Sequence, residues 1–536
     1  MQATKEELAA SFAAGVFLHL AVFRSGEWDA HSFTLLEVGA ALQLVLSFFA
    51  HELFSEPAVD ALQHGLYWAG AALAGLYASI LVYRAFFHRL GRFPGPFTAR
   101  LSTFYMTWTS FRRGQVYQDV RRLHTKYGDF VRVGPTELSI ADPAAFAVVH
   151  SATSQCERGP WYNVLNPTIS LQMVRDRREH AQRRKAWDRA FSNKARVAGY
   201  TDELLGVFDR EKGKRLNAST WFNYYSFDIM GDLAFGRSFD LMKTGVDQYF
   251  YKTTHTNMFL IGLFSRMTWL FPIFKATLGR WEYQKFQRFV KGVNEPAVPD
   301  VFHWILKEFN QKPKPTWQEL QNLYGDCALI VVAGSDTTAA TLTGLFYNLA
   351  THPDVYKKLQ AEVDAFFTAK DGTSNTQGDF DSSSLGKLEY LQACIDESLR
   401  LFPPVPSGLQ RQTPPQGVQV GETFIPGNTI VMTPAYTIYR DPRTFTHGDE
   451  FIPERWTTKP ELVKDATAYA PFSVGRFSCV GKQLALMEVR RVTTLIARRY
   501  DVAFAPGQTK EDFLAGLRDN FTLATPKLDL VFSQRI

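Results

Sequence analysis

Residues 61–83 run for 23 positions without a formal charge, and no other stretch narrows the folding options of this chain as much. At about 1.5 Å of rise per residue, a helix of that length crosses the roughly 30 Å hydrocarbon core of a bilayer. Residues 8–23 also lack charge, and 33–50 carry Glu37 alone. Both are marginal as spans, and a pair of helices lying in the membrane interface is the alternative. A cleaved leader fits poorly, because Glu6 and Glu7 stand where a basic run would precede the first stretch. Arg84, His88, Arg89, Arg92 and Arg100 follow the third stretch, whereas the link before it, HELFSEPAVD, has only acidic charges. The preference of basic flanks for the cytosol then puts everything after residue 84 there, and three crossings would leave the N-terminus in the lumen. The chain divides into an anchor, 1–92, a stiff FPGP hinge, 93–96, and one large domain, 97–536.

Composition bears on what that domain holds. Hydrophobic residues make up 46% of the 536, with 44 phenylalanines, which suits an apolar interior enclosing a cofactor and a lipophilic ligand. The net charge of +6 is dispersed and no nucleic-acid motif accompanies it, so membrane surfaces and acidic partners are expected and nucleic acid is not. Cys156, Cys327, Cys394 and Cys479 are far apart and form no CxxC pair, which argues against a zinc site and a disulfide framework and for a reducing compartment. The sequons at Asn217 and Asn520 would go unused on that side of the membrane.

Cys479 sits in FSVGRFSCVG, between Gly475 and Gly481, ahead of the amphipathic pattern KQLALMEVRRVTTLIARRY. A lone cysteine is more often a small buried hydrophobe. Here, however, glycines permit tight backbone turns, and the helix start offers N–H donors and a positive dipole end that stabilise a thiolate. The stretch resembles the cysteine-ligand loop of the cytochrome P450 superfamily, whose pattern is Phe-x-x-Gly-x-Arg-x-Cys-x-Gly. Phe472, Gly475, Cys479 and Gly481 match; Phe477 stands where the family has arginine, and Arg476 lies one residue earlier.

Three further motifs follow in the family's order. Residues 315–351 form a helix candidate with a Thr316/Glu319 capping box and a stop at Pro353, and AGSDTT in its middle consists largely of poor helix formers, so a local distortion is expected there. It resembles the family's oxygen groove: Gly334 would let oxygen approach the backbone, Thr337 would hydrogen-bond it, Asp336 would organise protons, and Ala333 beside them is a cofactor-binding candidate. Glu397 and Arg400 in ESLR share a helix face, ordinarily a weak surface pair. With Arg455 of FIPERW they resemble the family's buried structural network. The basic helix candidate 175–191 places His180 and Arg184 one turn apart, where the resemblance implies contacts to the haem propionates, with Arg476 as a further candidate. Strand signals in FVRVGPTELSIA suggest a hairpin.

The resemblance, covering roughly 94–536, implies a mainly α fold with a small β portion, resembling microsomal-type fungal members. It also implies haem b held by Cys479, and a monooxygenase acting on a lipophilic small molecule at the endoplasmic reticulum. The chain has no nucleotide-binding glycine loop of its own, so NADPH electrons would arrive through a separate cytochrome P450 reductase, with cytochrome b5 as an additional donor. A haem-thiolate isomerase and a non-catalytic haem-binding membrane protein are the alternatives.

Overall fold

The computed structural model describes residues 3–190, 197–236, 238–247, 249–277, 314–371 and 382–535, with Ile305 and Phe309 besides. Phe191, the last residue of the basic helix candidate, lies outside the described residues.

The three apolar stretches are helices. Lys5–Leu18 starts from a capping box between Thr4 and Glu7 and continues as a π turn to Phe23; Ser32–Phe54 follows, then Ala58–Val82, which ends in the π turn Tyr83–Phe87. Each is long and apolar enough to cross a membrane, and no more than 11% of any apolar window is buried. The first and second pack on the third. A Cβ on Gly15 would lie 1.8 Å from the Ala72 carbonyl oxygen, and one on Gly75 2.0 Å from that of Phe12, so the first and third helices meet backbone to backbone. Near one end, buried His64 sets Nε2 3.1 Å from Glu7 and Nδ1 3.2 Å from Glu56.

The FPGP turn is docked rather than loose. The Arg132 amide donates to the Pro94 carbonyl (2.7 Å), and a Cβ on Gly95 would lie 2.3 Å from the Arg132 oxygen. Arg132 ends the first strand of a four-stranded sheet ordered Phe130–Arg132, Glu137–Ile140, Ile430–Met432, Arg411–Gln412, in which the first two strands form the expected hairpin. The rest is mostly helical.

Trp317–Thr351 runs through the main core. Its capping box closes as the sequence predicts, with Glu319 N–H on Thr316 Oγ1 (3.2 Å) and Thr316 N–H on Glu319 Oε2 (2.8 Å). Its apolar window is 72% buried, so a helix that could cross a bilayer by composition serves as core instead. It packs on Ala218–Phe235, Glu389–Leu401 and Lys482–Arg499. The expected distortion at AGSDTT does not occur. Ser335, Thr337, Thr341 and Thr343 each donate to the carbonyl four residues earlier at 2.7–2.8 Å, which satisfies the hydroxyls inside an unbroken helix.

Candidate functional site

The cysteine loop is built by two local constraints. Gly475 takes φ +69°, and a Cβ there would lie 2.6 Å from the His150 carbonyl oxygen, so only glycine fits. The Cys479 amide donates to the Phe472 carbonyl (2.8 Å), closing the loop just before the helix Lys482–Arg499, whose N-cap is Gly481. Phe472 packs on the main core with the Lys482 ammonium over its ring. The Cys479 side chain remains accessible. Enclosure by protein pushes its thiol pKa up, opposed by the backbone N–H groups of Gly481 and Lys482 and by the charges of Arg184 and Lys482. Those opposing groups sit where the helix-start argument places them.

Beside this loop lies a gathering of cations. The helix Arg177–Ala190 is tied to the central helix by Arg183, which donates to Asp326 at 2.8 Å. From it, Arg184 donates to the Ser478 carbonyl (2.7 Å) and to Asp188 (2.7 Å), and buried His180 sets its ring edge-to-face on Phe477, centroids 4.9 Å apart. Two residues that sequence reasoning did not single out complete the cluster. The guanidinium carbons of Arg158 and Arg411 stand 4.1 and 4.9 Å from the Phe477 centroid. Arg158 donates to the carbonyls of Leu171 (3.0 Å) and Val174 (2.5 Å), and Arg411 to Tyr162 Oη (3.0 Å). Both are at most 5% exposed, neither has an acidic partner among the described residues, and Arg158 Nε has no hydrogen-bond partner there. Burial and the neighbouring arginines lower Arg158 to about 10 and His180 to about 4, so His180 is neutral at pH 7 and offers a hydrogen bond instead of charge. Arg476 does not join them. It turns outward to the carbonyls of Ala152 (3.3 Å) and Ser154 (3.0 Å), which removes it as the replacement for an arginine at 477.

On the central helix, Ala333 is exposed and Thr337 partly so, in a segment otherwise largely buried. Gly334 looks elsewhere: a Cβ there would lie 2.5 Å from Met230 Cε, so the glycine makes room for the neighbouring helix rather than for a diatomic ligand. Asp336 is buried, its Oδ1 has no partner among the described residues, and desolvation raises its carboxyl to about 7; Tyr251 feels its charge.

Glu397, Arg400 and Arg455 form a closed network with no measurable exposure of any pair member. Arg400 Nε and Nη2 grip both Glu397 oxygens at 2.9 Å, Arg455 Nε adds a third contact at 2.9 Å, and Trp456 Nε1 and the Ile452 amide fill the remaining acceptor positions at 3.0 and 2.9 Å. Backbone carbonyls take the other guanidinium donors.

Comparison with known proteins follows the same lines. The family model described as Cytochrome P450 matches residues 94–299 and 300–532. A cytochrome P450 monooxygenase, FCK2, of Fusarium pseudograminearum is 49% identical over 98% of this chain and 97% of its own. The monooxygenase orf5 of Eupenicillium brefeldianum is 44% identical over 86% and 95%, and the tryprostatin B 6-hydroxylase of Aspergillus fumigatus 34% over 98% and 96%. A cysteine loop at a helix start, a complete acid–arginine network and matches of this extent make the chain a member of the cytochrome P450 family, whose enzymes are haem-containing monooxygenases supplied with electrons by a redox partner.

Proposed function

We propose that this chain is a membrane-anchored haem-thiolate monooxygenase that inserts one oxygen atom from O2 into a lipophilic small molecule of fungal secondary metabolism. One observation carries the reading: an accessible thiol at a helix start stands beside two buried arginines, Arg158 and Arg411, that have no acidic partner among the described residues. Haem b fits that donor set. Cys479 would ligate its iron, and Arg158, Arg411, His180 and Arg184 would meet its propionates, with Arg158 Nε a donor that has no acceptor among the described residues. Bound there, the haem supplies O2 activation under thiolate donation.

The remaining tasks fall to side chains. The N–H groups of Gly481 and Lys482 oppose the desolvation that raises the thiol pKa, and so favour the sulfur anion that would ligate the iron. Thr337 lies at the open side of the central helix, and its hydroxyl, which donates to the Ala333 carbonyl (2.8 Å), would turn from that carbonyl to hydrogen-bond oxygen. Asp336, poised near neutrality beside Tyr251, can release and regain a proton there. A haem-thiolate isomerase would need neither group. Trp161 and Phe521 stack on one another with centroids 4.9 Å apart and offer an aromatic wall to a lipophilic molecule.

Residues 1–92 form the anchor, in the endoplasmic reticulum membrane with the main domain in the cytosol, as the basic flank from Arg84 to Arg100 favours. NADPH electrons come through a separate reductase, with cytochrome b5 as a further donor. Arg178 and Lys185, exposed on the helix whose Arg184 holds the cysteine loop, offer positive surface to an acidic partner. A reduced, CO-bound difference spectrum tests the assignment: a band near 450 nm in the full-length protein, lost in Cys479→Ala. Haem-loaded wild type without that band would remove Cys479 from its role. Product formed without reductase would favour the isomerase.

A further inference from the structure

The short helix Leu270–Ala276 is wedged between the anchor and an aromatic cluster. Its outer side packs on the second apolar helix, Ser32–Phe54, and on the turn Trp28–His31. On its inner side Phe271 joins Trp161, Tyr162, Val164, Met173 and Phe521. That cluster adjoins the cations already described, because Tyr162 Oη accepts from Arg411 and lies under Arg158. Lys275 fastens the C-terminal end of the helix by donating to the carbonyls of Val164 (2.8 Å) and Asn166.

The other end is held from the anchor. Thr268 Oγ1 donates to Asp29, and Ser32 Oγ donates to the Trp269 carbonyl at 2.5 Å. Alongside, Arg175 forks onto both oxygens of Glu27 at 2.6 and 2.8 Å. The same guanidinium donates through Nε to the Arg158 carbonyl (3.0 Å) and through Nη2 to Gln412 (3.2 Å). A tether needs no acid between its first two helices; here both acids of that link are engaged by the catalytic domain.

We propose that the loop joining the first two apolar helices is a wall of the route into the active site, and that Arg175, through Glu27, is a positioning residue linking this wall to Arg158. The molecules admitted are lipophilic ones that partition into the bilayer alongside. The proposal rests on the haem-thiolate reading. Ion pairs on a partly exposed surface hold weakly, so the wall opens without unfolding the domain.

The test uses full-length holoprotein in lipid nanodiscs and follows the Soret shift when 4-phenylimidazole is mixed in. In Glu27→Ala/Asp29→Ala, association and dissociation should both quicken by about threefold or more, with the end-point spectrum unchanged. In Ser32→Cys/Trp269→Cys, oxidation should slow both rates and dithiothreitol should restore them, while CO, a far smaller probe, should bind at a nearly constant rate. Arg175→Lys, which keeps the charge but loses the fork, should fall between wild type and the double alanine variant. Azole rates unaltered in both double variants, with the band near 450 nm intact, would overturn the wall. Absence of that band in the wild type would instead overturn the haem-thiolate reading beneath it.

Discussion

The buried charges around Glu397 and those around Phe477 are finished to different degrees. Around Glu397 the acid, two arginines, an indole and a backbone amide satisfy one another completely. Around Phe477 the arginines from positions 158 and 411 meet carbonyls, a phenol and an aromatic face, but no acid among the described residues. Both clusters cost desolvation to bury. A closed network returns that cost as structure, whereas an open one leaves charge for something else to neutralise. The first therefore marks the fold and the second a ligand.

Breaking the closed cluster should have the largest effect. Glu397→Ala leaves two buried guanidinium groups facing each other and should cost about 3–5 kcal/mol, read as loss of folded, haem-containing protein. A variant with an unchanged denaturation midpoint would erase the distinction. Opening the second cluster further should do the reverse. Arg158→Ala with Arg411→Ala should leave the haem-free protein no less stable, yet speed haem transfer to an apo-globin by about 10- to 100-fold. Slower transfer would mean that the cations do not face the propionates.

A smaller effect is expected at Asp336, the buried acid of the central helix whose Oδ1 has no partner among the described residues. The Asp336 carboxyl titrates near 7 in the folded chain and near 4 unfolded, so its penalty begins as pH rises above 4 and is complete above 7. Asp336→Asn should thus be more stable than wild type at pH 8, by about 1–3 kcal/mol, and equal to it at pH 4. An equal difference at both pH values would contradict the raised carboxyl. The smallest effect concerns the aromatic at the centre of the open cluster. Phe477→Arg adds another cation and should weaken the dependence of haem retention on His180 by about 1 kcal/mol in a double-mutant cycle. Equal dependence in both backgrounds would end the idea that His180 makes up for the missing arginine.

Sequence carried the closed cluster but only His180 and Arg184 of the open one, for a physical reason. Spacing puts Glu397 and Arg400 on one helix face, and the resemblance of ESLR and FIPERW to the family's motifs joins Arg455, in its compact proline turn, to them. Arg158 follows an isolated bridge and Arg411 sits in a two-residue strand, where no periodicity says which way a side chain turns. The central helix was legible to the residue at its start because a capping box is a local signal. Its interior was misjudged, since hydroxyls bonding back to their own helix remove the weakness that their propensities suggest. Gly334 shows the same limit: what occupies a glycine's open side, here Met230, depends on a helix a hundred residues away. Charge-free runs announced the apolar helices, yet the second extends to Phe54 because Ser55, at φ +52°, is where the backbone turns, past His51 and Glu52.

The close approach at Gly15 and Gly75 also restricts motion. A single helix is a swivel, about which a domain can spin and tilt at the membrane surface. Helices in contact backbone to backbone have no room to rotate about their own axes, so the bundle turns only as a whole. A domain clasped to such a bundle keeps one face toward the bilayer and presents another at a constant angle to whatever diffuses past. An encounter with a second membrane-bound protein is then a search over position in a plane, with much of the orientational search already made.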